Sequence, residues 1–418
     1  MNDMQKHLTH RTTCRICRST KLRQVLSFGP TSLANAFLTK KEIYGSESYF
    51  PLDVYLCEEC SLVQLLDVVD PRVLFKDYVY VSSTSPVFRE HFETFAKKAW
   101  EKFGLSPSSF IVDIGSNDGI LLRPFTKLGA QILGVEPDKT IAGFARKSGV
   151  STISEFFTSR TAQKILKRYG SADMVTATNV FAHIDDIEEV ALGVKTLLKK
   201  EGVFMMEASY LVDVIEKNLF DTVYHEHLSY YSVSALKVFF ERVGMKIVDV
   251  ERVASHGGSL RVFAQKKEAS GVPSQAVGKL LALERRMKFY EAETYHAYGL
   301  RILVNRAKLL TLLSGLKKQG KRIAGYGAPA KGNTLLNFFS IGNELLDYIV
   351  DDSAHKQGKY TPGKRIPVVS PVRLVEDPPD YLLILAWNFA PSIMAKHNAF
   401  RRQGGRFIIP VPTPRIIK

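Results

Sequence analysis

Two glycine-rich turns, Val112-Asp-Ile-Gly-Ser-Asn-Asp-Gly119 and Ala324-Gly-Tyr-Gly-Ala-Pro-Ala-Lys-Gly332, each follow an apolar run and precede a helix-like stretch. A strand that reverses into a helix through glycines is the opening of a βα unit, because glycine accepts the positive φ such a tight turn needs. Two such openings in 418 residues predict two Rossmann-like units, each with a crevice for a nucleotide-shaped ligand.

The pattern around the first turn agrees. An amphipathic helix is expected from Val87 to Phe103, after a polar and aromatic stretch, Phe75 to Pro86. Short β-rich runs then alternate with helical stretches: Phe110 to Ile114, Gln131 to Val135, Ala172 to Ala177, Gly202 to Glu207, Lys246 to Val250 and Leu260 to Ala264. Strands alternating with helices imply a largely parallel, doubly wound α/β sheet. Glu268-Ala-Ser-Gly-Val-Pro-Ser-Gln275 reads as a boundary, a charged helical stretch runs from Ala276 to Lys318, and a second βαβ pattern starts at Arg322. It continues through Leu345 to Asp351 and Tyr381 to Ala386, with no sequence repeat strong enough to prove duplication. These breaks divide the chain into residues 1–75, 76–270 and 271–418.

All four cysteines lie in the first segment, as Cys14-Arg-Ile-Cys17 and Cys57-Glu-Glu-Cys60. A two-residue spacer points two thiolates at one ion, and two matched pairs predict one tetrahedral Zn2+ rather than disulfides or a redox site. Four protein ligands leave no open position, so the metal is expected to brace the domain. The 39 residues between the pairs exceed a minimal ribbon and leave room for Pro30-Thr-Ser-Leu-Ala-Asn-Ala-Phe37 in a small domain that closes over a ligand.

The formal net charge of +15 is uneven: residues 301–418 hold 19 Lys plus Arg against 7 Asp plus Glu. Such a segment suits an anionic partner, and the glycine turn within it favours a phosphate. No apolar run approaches the roughly 18 residues that would span a bilayer, and the N-terminus is polar, so a cytoplasmic location is expected.

At the first turn, Asp113 ends the strand, Gly115 allows the reversal, and Gly119 lets a ligand approach the helix start. Glu136 ends the next strand, where a carboxylate meets the ribose hydroxyls of an adenosine. Asp113 and Asp118 would repel a pyrophosphate at the helix N-terminus, which favours S-adenosylmethionine over a dinucleotide. Asn179 and His183 follow the run Ala172 to Ala177 and face the same crevice by position. Tyr224-His225-Glu226-His227 is the densest acid/base cluster; an extended backbone there would put Tyr224 and Glu226 on one face and both histidines on the other. Histidines two apart do not have the four-residue spacing of a helical zinc site.

The paired CxxC motifs, Val112 to Leu122, Tyr224-His-Glu-His-Leu-Ser-Tyr-Tyr-Ser232 and Gly325 to Asn333 occur in an order that resembles one family across essentially the whole chain. It is the S-adenosylmethionine-dependent C-3 methyltransferases of nucleotide-linked 4-keto-6-deoxysugars. The resemblance implies a zinc-binding domain, a central methyltransferase sheet, and a C-terminal Rossmann-like domain for the nucleotide sugar, with small-molecule partners and neither nucleic acid nor membrane. It implies His227 as the base that removes the C3 proton to form an enolate, with His225 as the second candidate. Glu226, Tyr224, His183 and Tyr78 would orient the sugar or stabilise the enolate. Asp113, Gly115, Asn117, Gly119, Glu136 and Asn179 would hold the methyl donor. Gly327, Ala328, Lys331, Asn333, Asp351 and Trp387 would hold the nucleotide. A nucleic-acid methyltransferase and a non-catalytic nucleotide-sugar binding protein are the rival readings. Monomer and homodimer stay open, as does the nucleobase.

Overall fold

The computed structural model describes residues 7–74 and 86–417. Tyr78 and most of the stretch from Phe75 to Pro86 lie outside the described residues.

The N-terminal strands are β1 (Leu8–His10), β2 (Leu22–Ser32), β3 (Tyr49–Cys57), β4 (Val63–Leu65) and β5 (Asp67–Val69). The central strands are β6 (Phe110–Ile114), β7 (Gln131–Val135), β8 (Thr152–Ile153), β9 (Ala172–Thr178), β10 (Leu198–Ser209), β11 (Ser229–Tyr230), β12 (Met245–Val253) and β13 (Ser259–Lys266). The C-terminal strands are β14 (Ile323–Tyr326), β15 (Ile349–Val350), β16 (Val368–Val369), β17 (Tyr381–Ile384), β18 (Arg406–Ile409) and β19 (Arg415–Ile417).

The central sheet has the order β12-β13-β10-β9-β6-β7-β8. Its strands are parallel from β10 to β8, while β13 runs antiparallel to both β10 and β12. Every residue of β6, Phe-Ile-Val-Asp-Ile, is buried, as expected of a strand covered by helices on both faces. The C-terminal sheet repeats the plan in the order β16-β15-β14-β17-β18-β19, parallel except for β19.

The helix expected before β6 spans Pro86–Lys102. The single helical stretch expected from Ala276 to Lys318 is two helices, Gln275–Arg286 and Ala292–Lys318, broken where Lys288 takes φ of 58°. The first is pinned to the central domain by Glu284, 1 % exposed, which accepts from Tyr210 Oη at 2.8 Å, Val233 N at 2.7 Å and Ser234 N at 2.8 Å. Among the described residues, no helix is long and apolar enough to cross a membrane.

The N-terminal domain is not self-contained. Its four-stranded sheet runs β11-β4-β3-β2, so Ser229 and Tyr230, just beyond the acid/base cluster, complete it by pairing with Gln64 and Val63. Buried Arg15 adds to this seam, donating through Nη1 to the carbonyls of Leu65 and Leu228 and through Nε to Asp185.

Candidate active site

The crevice of the central sheet lies between the carboxyl ends of β6 and β9, where the strand order reverses. Gly115, Asn117 and Gly119 take φ of 65°, 50° and 81° there. A Cβ on Gly115 would lie 2.4 Å from Val180 Cγ2, and one on Gly119 would lie 2.7 Å from Val150 Cγ2. The space a side chain at Gly119 would need is therefore filled by Val150, so packing by itself requires glycine there. Gly115→Ala is expected to lower the unfolding free energy by ~1–3 kcal/mol through strain and overlap, which urea denaturation measures.

Glu136 follows β7, and its carboxylate accepts from Asn117 N and Asp138 N, both at 3.0 Å. Each oxygen keeps a further lone pair, and burial raises the pKa of the group. Asp113 points into the sheet, where Thr176 Oγ1 donates to it at 2.6 Å and burial pushes its carboxyl up to about 7. Asp118 is paired with Arg123 Nη2 at 2.7 Å. The two acids expected to leave the turn strongly negative are thus a buried, hydrogen-bonded carboxyl and one half of an ion pair. Asn179, at φ of 55°, donates its backbone N–H to Glu207 O at 2.7 Å.

Residues 224–227 form a turn closed by His227 N donating to Tyr224 O at 2.8 Å. This overturns the extended alternation expected from sequence: the turn brings Tyr224 and His227 to the same side, with ring centres 4.0 Å apart. His227 Nδ1 lies 2.8 Å from Thr222 O, and a carbonyl only accepts, so Nδ1 carries the proton. Nε2 then receives the hydrogen bond from Tyr224 Oη at 2.7 Å. His183 packs edge-on against His227 at 4.9 Å between ring centres, and burial lowers its pKa to about 4. His225 is directed elsewhere, with Nε2 3.2 Å from the carbonyls of Phe50 and Pro51 in β3 and a pKa lowered by burial to about 4. Glu226 is 3 % exposed, and burial raises its pKa to about 7 against the pull of Asn35, whose Nδ2 donates to Oε1 at 2.6 Å.

Asn35, 191 residues from its partner, has no motif around it to mark its position. The only sign in the sequence was its place in the Pro30 to Phe37 segment between the cysteine pairs.

The four cysteines carry no disulfide, and their sulfurs lie within 4.8 Å of one another. Cys14 Sγ and Cys60 Sγ are 3.5 Å apart, and Cys17 Sγ and Cys57 Sγ 3.4 Å. Four thiols converging in this way fit a tetrahedral zinc with Zn–S bonds of about 2.3 Å.

At the second glycine turn, Gly327 takes φ of 83°, and a Cβ there would lie 2.6 Å from Ala386 Cβ. Asp351 follows β15 as Glu136 follows β7, and its carboxylate accepts from Ala328 N at 2.6 Å and Ser353 N at 2.8 Å. Asn333 is 1 % exposed and donates through Nδ2 to Ala34 O at 2.6 Å. Lys331 is half-buried with its Nζ 5.2 Å from the ring centre of Trp387, whose indole N–H donates to Asp221. Asn333, Asp351 and Trp387 are thus engaged within the protein itself. A second half-buried cation, Lys356, which no motif marks in the sequence, donates to Ala328 O at 2.8 Å.

Residues 14–75 match a zinc binding domain, residues 88–250 a methyltransferase domain, and residues 254–412 a C-methyltransferase C-terminal domain. C-methyltransferase NovU of Streptomyces niveus is 41 % identical over 404 residues, 97 % of this chain and 96 % of that protein. A ubiquinone biosynthesis O-methyltransferase of Colwellia psychrerythraea is 27 % identical over 157 residues, 34 % of this chain and 63 % of its own. Among solved structures, magnesium protoporphyrin IX methyltransferase from Synechocystis with bound SAM aligns over 47 % of this chain and 88 % of its own, at 12 % identity and a TM-score of 0.34.

Proposed function

The chain belongs to the C-methyltransferase family, and on that premise we propose that it moves a methyl group from S-adenosylmethionine to C3 of a nucleotide-linked 4-keto-6-deoxysugar. The observation that carries the chemistry is the hydrogen-bonded series Thr222 O, His227, Tyr224 Oη.

A C4 ketone acidifies the hydrogen on C3, and loss of that proton leaves its electron pair in an enolate whose carbon is the nucleophile. The bond to Thr222 keeps the proton of neutral His227 on Nδ1, so Nε2 holds the lone pair that takes the C3 proton. The Tyr224 hydroxyl would leave Nε2 as the sugar binds, which frees that lone pair for the C3 proton, and would donate instead to the C4 oxygen as it becomes the enolate. His183 stays neutral near pH 7, since burial holds its pKa at about 4, and it fixes the plane of the base. Glu226, at about 7, orients a sugar hydroxyl, and Tyr78 keeps the same assignment from the family resemblance. His225, turned onto β3, positions the turn; the base role is assigned to His227.

S-adenosylmethionine, when bound, supplies the electrophilic methyl group. Glu136 would accept its ribose hydroxyls, with Gly115, Asn117 and Gly119 shaping the turn and Asp113 and Asn179 fixing the strand ends around it. Glu136→Ala should raise the Kd for S-adenosylmethionine by ~10- to 100-fold, the worth of hydrogen bonds to a charged group, as calorimetry would read directly. At the second turn Lys331, at the start of the helix Ala330–Phe339, would receive the diphosphate, while Gly327 and Ala328, whose N–H groups are held by Val350 O and Asp351, line the turn. Asn333, Asp351 and Trp387 shape that turn and its walls.

Methyl transfer from S-adenosylmethionine to a panel of nucleotide-linked 4-keto-6-deoxysugars, run in deuterated water and read by mass spectrometry, tests the proposal. Expected is a product heavier by one methyl group, with deuterium entering C3 before transfer. Neither methylation nor exchange on any member of the panel would sink the sugar reading.

A further inference from the structure

The stretch that follows β2, between the two cysteine pairs, is anchored at both ends to the C-terminal domain. Ala34 O accepts from buried Asn333 Nδ2 at 2.6 Å, so the helix Ala330–Phe339 holds one end. Leu38 pairs with Tyr360, donating to its carbonyl at 2.9 Å and accepting from its N–H at 2.8 Å. Between these anchors Ala36 N donates to Leu33 O at 3.1 Å and Phe37 N to Asn35 O at 2.9 Å, which closes a tight local turn. The turn aims the Asn35 side chain at the acid/base cluster, where Nδ2 donates to Glu226 Oε1 at 2.6 Å. Asn35 is half-buried and Ala36 exposed, so the amide reaches inward from the edge of the zinc domain to a carboxylate that is 3 % exposed.

Among the described residues Asn35 is the one side chain that donates to this carboxylate. The kind of donor matters. An arginine or lysine there would form a buried ion pair and hold Glu226 ionised far below neutral pH. An amide gives one hydrogen bond and no charge, so it fixes the orientation of the carboxyl and leaves it titratable: burial pushes it up to about 7 against the pull of the amide. Tyr224, His225 and His227 share its turn, His183 comes from the single turn Phe181–His183, and Lys331 opens the helix whose Asn333 holds Ala34. None of them enters that balance, whose causes are burial and the amide.

The geometry points to Asn35 as a positioning residue of the active site: it holds Oε1 of Glu226 and so leaves Oε2 to a hydroxyl of the bound sugar, which makes the zinc-braced domain part of the catalytic pocket. The inference rests on the nucleotide-sugar reading above.

Ionised Glu226 accepts from that hydroxyl with its full charge, and the amide favours this form. Without Asn35 the carboxyl keeps its burial and loses its donor, so its pKa rises and a larger fraction is protonated at pH 7. With Asp at position 35, two carboxyls face each other across one hydrogen bond and share a proton. They lose it only at higher pH, where their like charges repel.

The test is the pH dependence of turnover on whichever 4-keto-6-deoxysugar of the panel is methylated, beside infrared titration of the protein alone. Asn35→Ala should lower turnover at pH 7 by on the order of tenfold and recover as the pH rises, which moves the acid limb of kcat upward. Asn35→Asp should keep the wild-type acid limb and gain an alkaline one as the shared proton is lost. A role confined to structure would lower both profiles uniformly. Zinc content and the Kd for S-adenosylmethionine should match the wild type in both variants; if Asn35→Ala misses either, the near-isosteric Asn35→Asp carries the test by itself. In the infrared, the carboxyl stretch that Glu226→Gln removes should titrate at higher pH in Asn35→Ala than in the wild type. Unshifted limbs in both variants, or an unshifted carboxyl stretch, overturn the inference. Failure of the wild type to methylate any sugar overturns the nucleotide-sugar reading instead, and the infrared titration still decides whether Asn35 governs Glu226.

Discussion

Replacing His227 with Asn should lower the rate of methyl transfer by roughly 10²- to 10⁴-fold, and hydrogen exchange at C3 falls in step. The substitution is selective because the Asn side-chain amide can still donate to Thr222 O while nothing replaces Nε2, the atom that faces Tyr224 Oη at 2.7 Å. Binding of S-adenosylmethionine and of the nucleotide sugar should be retained, since neither glycine turn is touched. Single-turnover transfer and C3 exchange, measured with the two binding affinities, separate loss of chemistry from loss of binding. Turnover near the wild-type rate would move the base role to Glu226, whose pKa of about 7 suits proton transfer, rather than to His225, whose Nε2 is committed to β3.

Cys57→Ser has the other large effect, on stability. Cys57 closes β3, and Cys60 lies in the turn that leads into β4, so the metal ties the two strands that carry the seam. Losing one of four thiolates removes most of the binding free energy of a structural zinc, several kcal/mol at least, and should move the N-terminal unfolding transition down by ~10 °C or more. Zinc content per chain and thermal unfolding followed with and without chelator measure this. Methyl transfer should fail as well, because β3 supplies the carbonyls under His225 and β4 pairs with β11, whereas S-adenosylmethionine binding should survive in the folded remainder. A variant that stays stable and folded but loses only the chemical step would overturn the bracing role of the metal.

The longer strands of the central sheet were legible in the sequence because they are mostly apolar runs containing Ile and Val: Phe110–Ile114 and Gln131–Val135 fall where expected. Strands of two residues, Thr152–Ile153, Ser229–Tyr230 and Ile349–Val350, are too short to carry a period and owe their pairing to neighbours. The acid/base residues were legible as a cluster, but their arrangement was not, because one turn hydrogen bond decides which side chains share a face. Asn35 and Asp221 were invisible for another reason: their partners, Glu226 and Trp387, lie 191 and 166 residues away, and neither residue sits in a pattern. The parallel roles of Glu136 and Asp351 likewise depend on hydrogen bonds to turn backbone, which a search for identical residues does not detect.

The seam between β11 and β4 also limits how such enzymes can be recombined. A chimera that exchanged only an N-terminal segment with a relative would put one protein's Val63 and Gln64 opposite another's Ser229 and Tyr230. Asn35 would meet a foreign Glu226, and Arg15 a foreign Leu228 carbonyl. The unit of exchange is therefore discontinuous in the gene: a swapped zinc domain needs the stretch from Asn218 to Tyr231 to travel with it, and crossover points chosen at the apparent domain borders would split one working part between two parents.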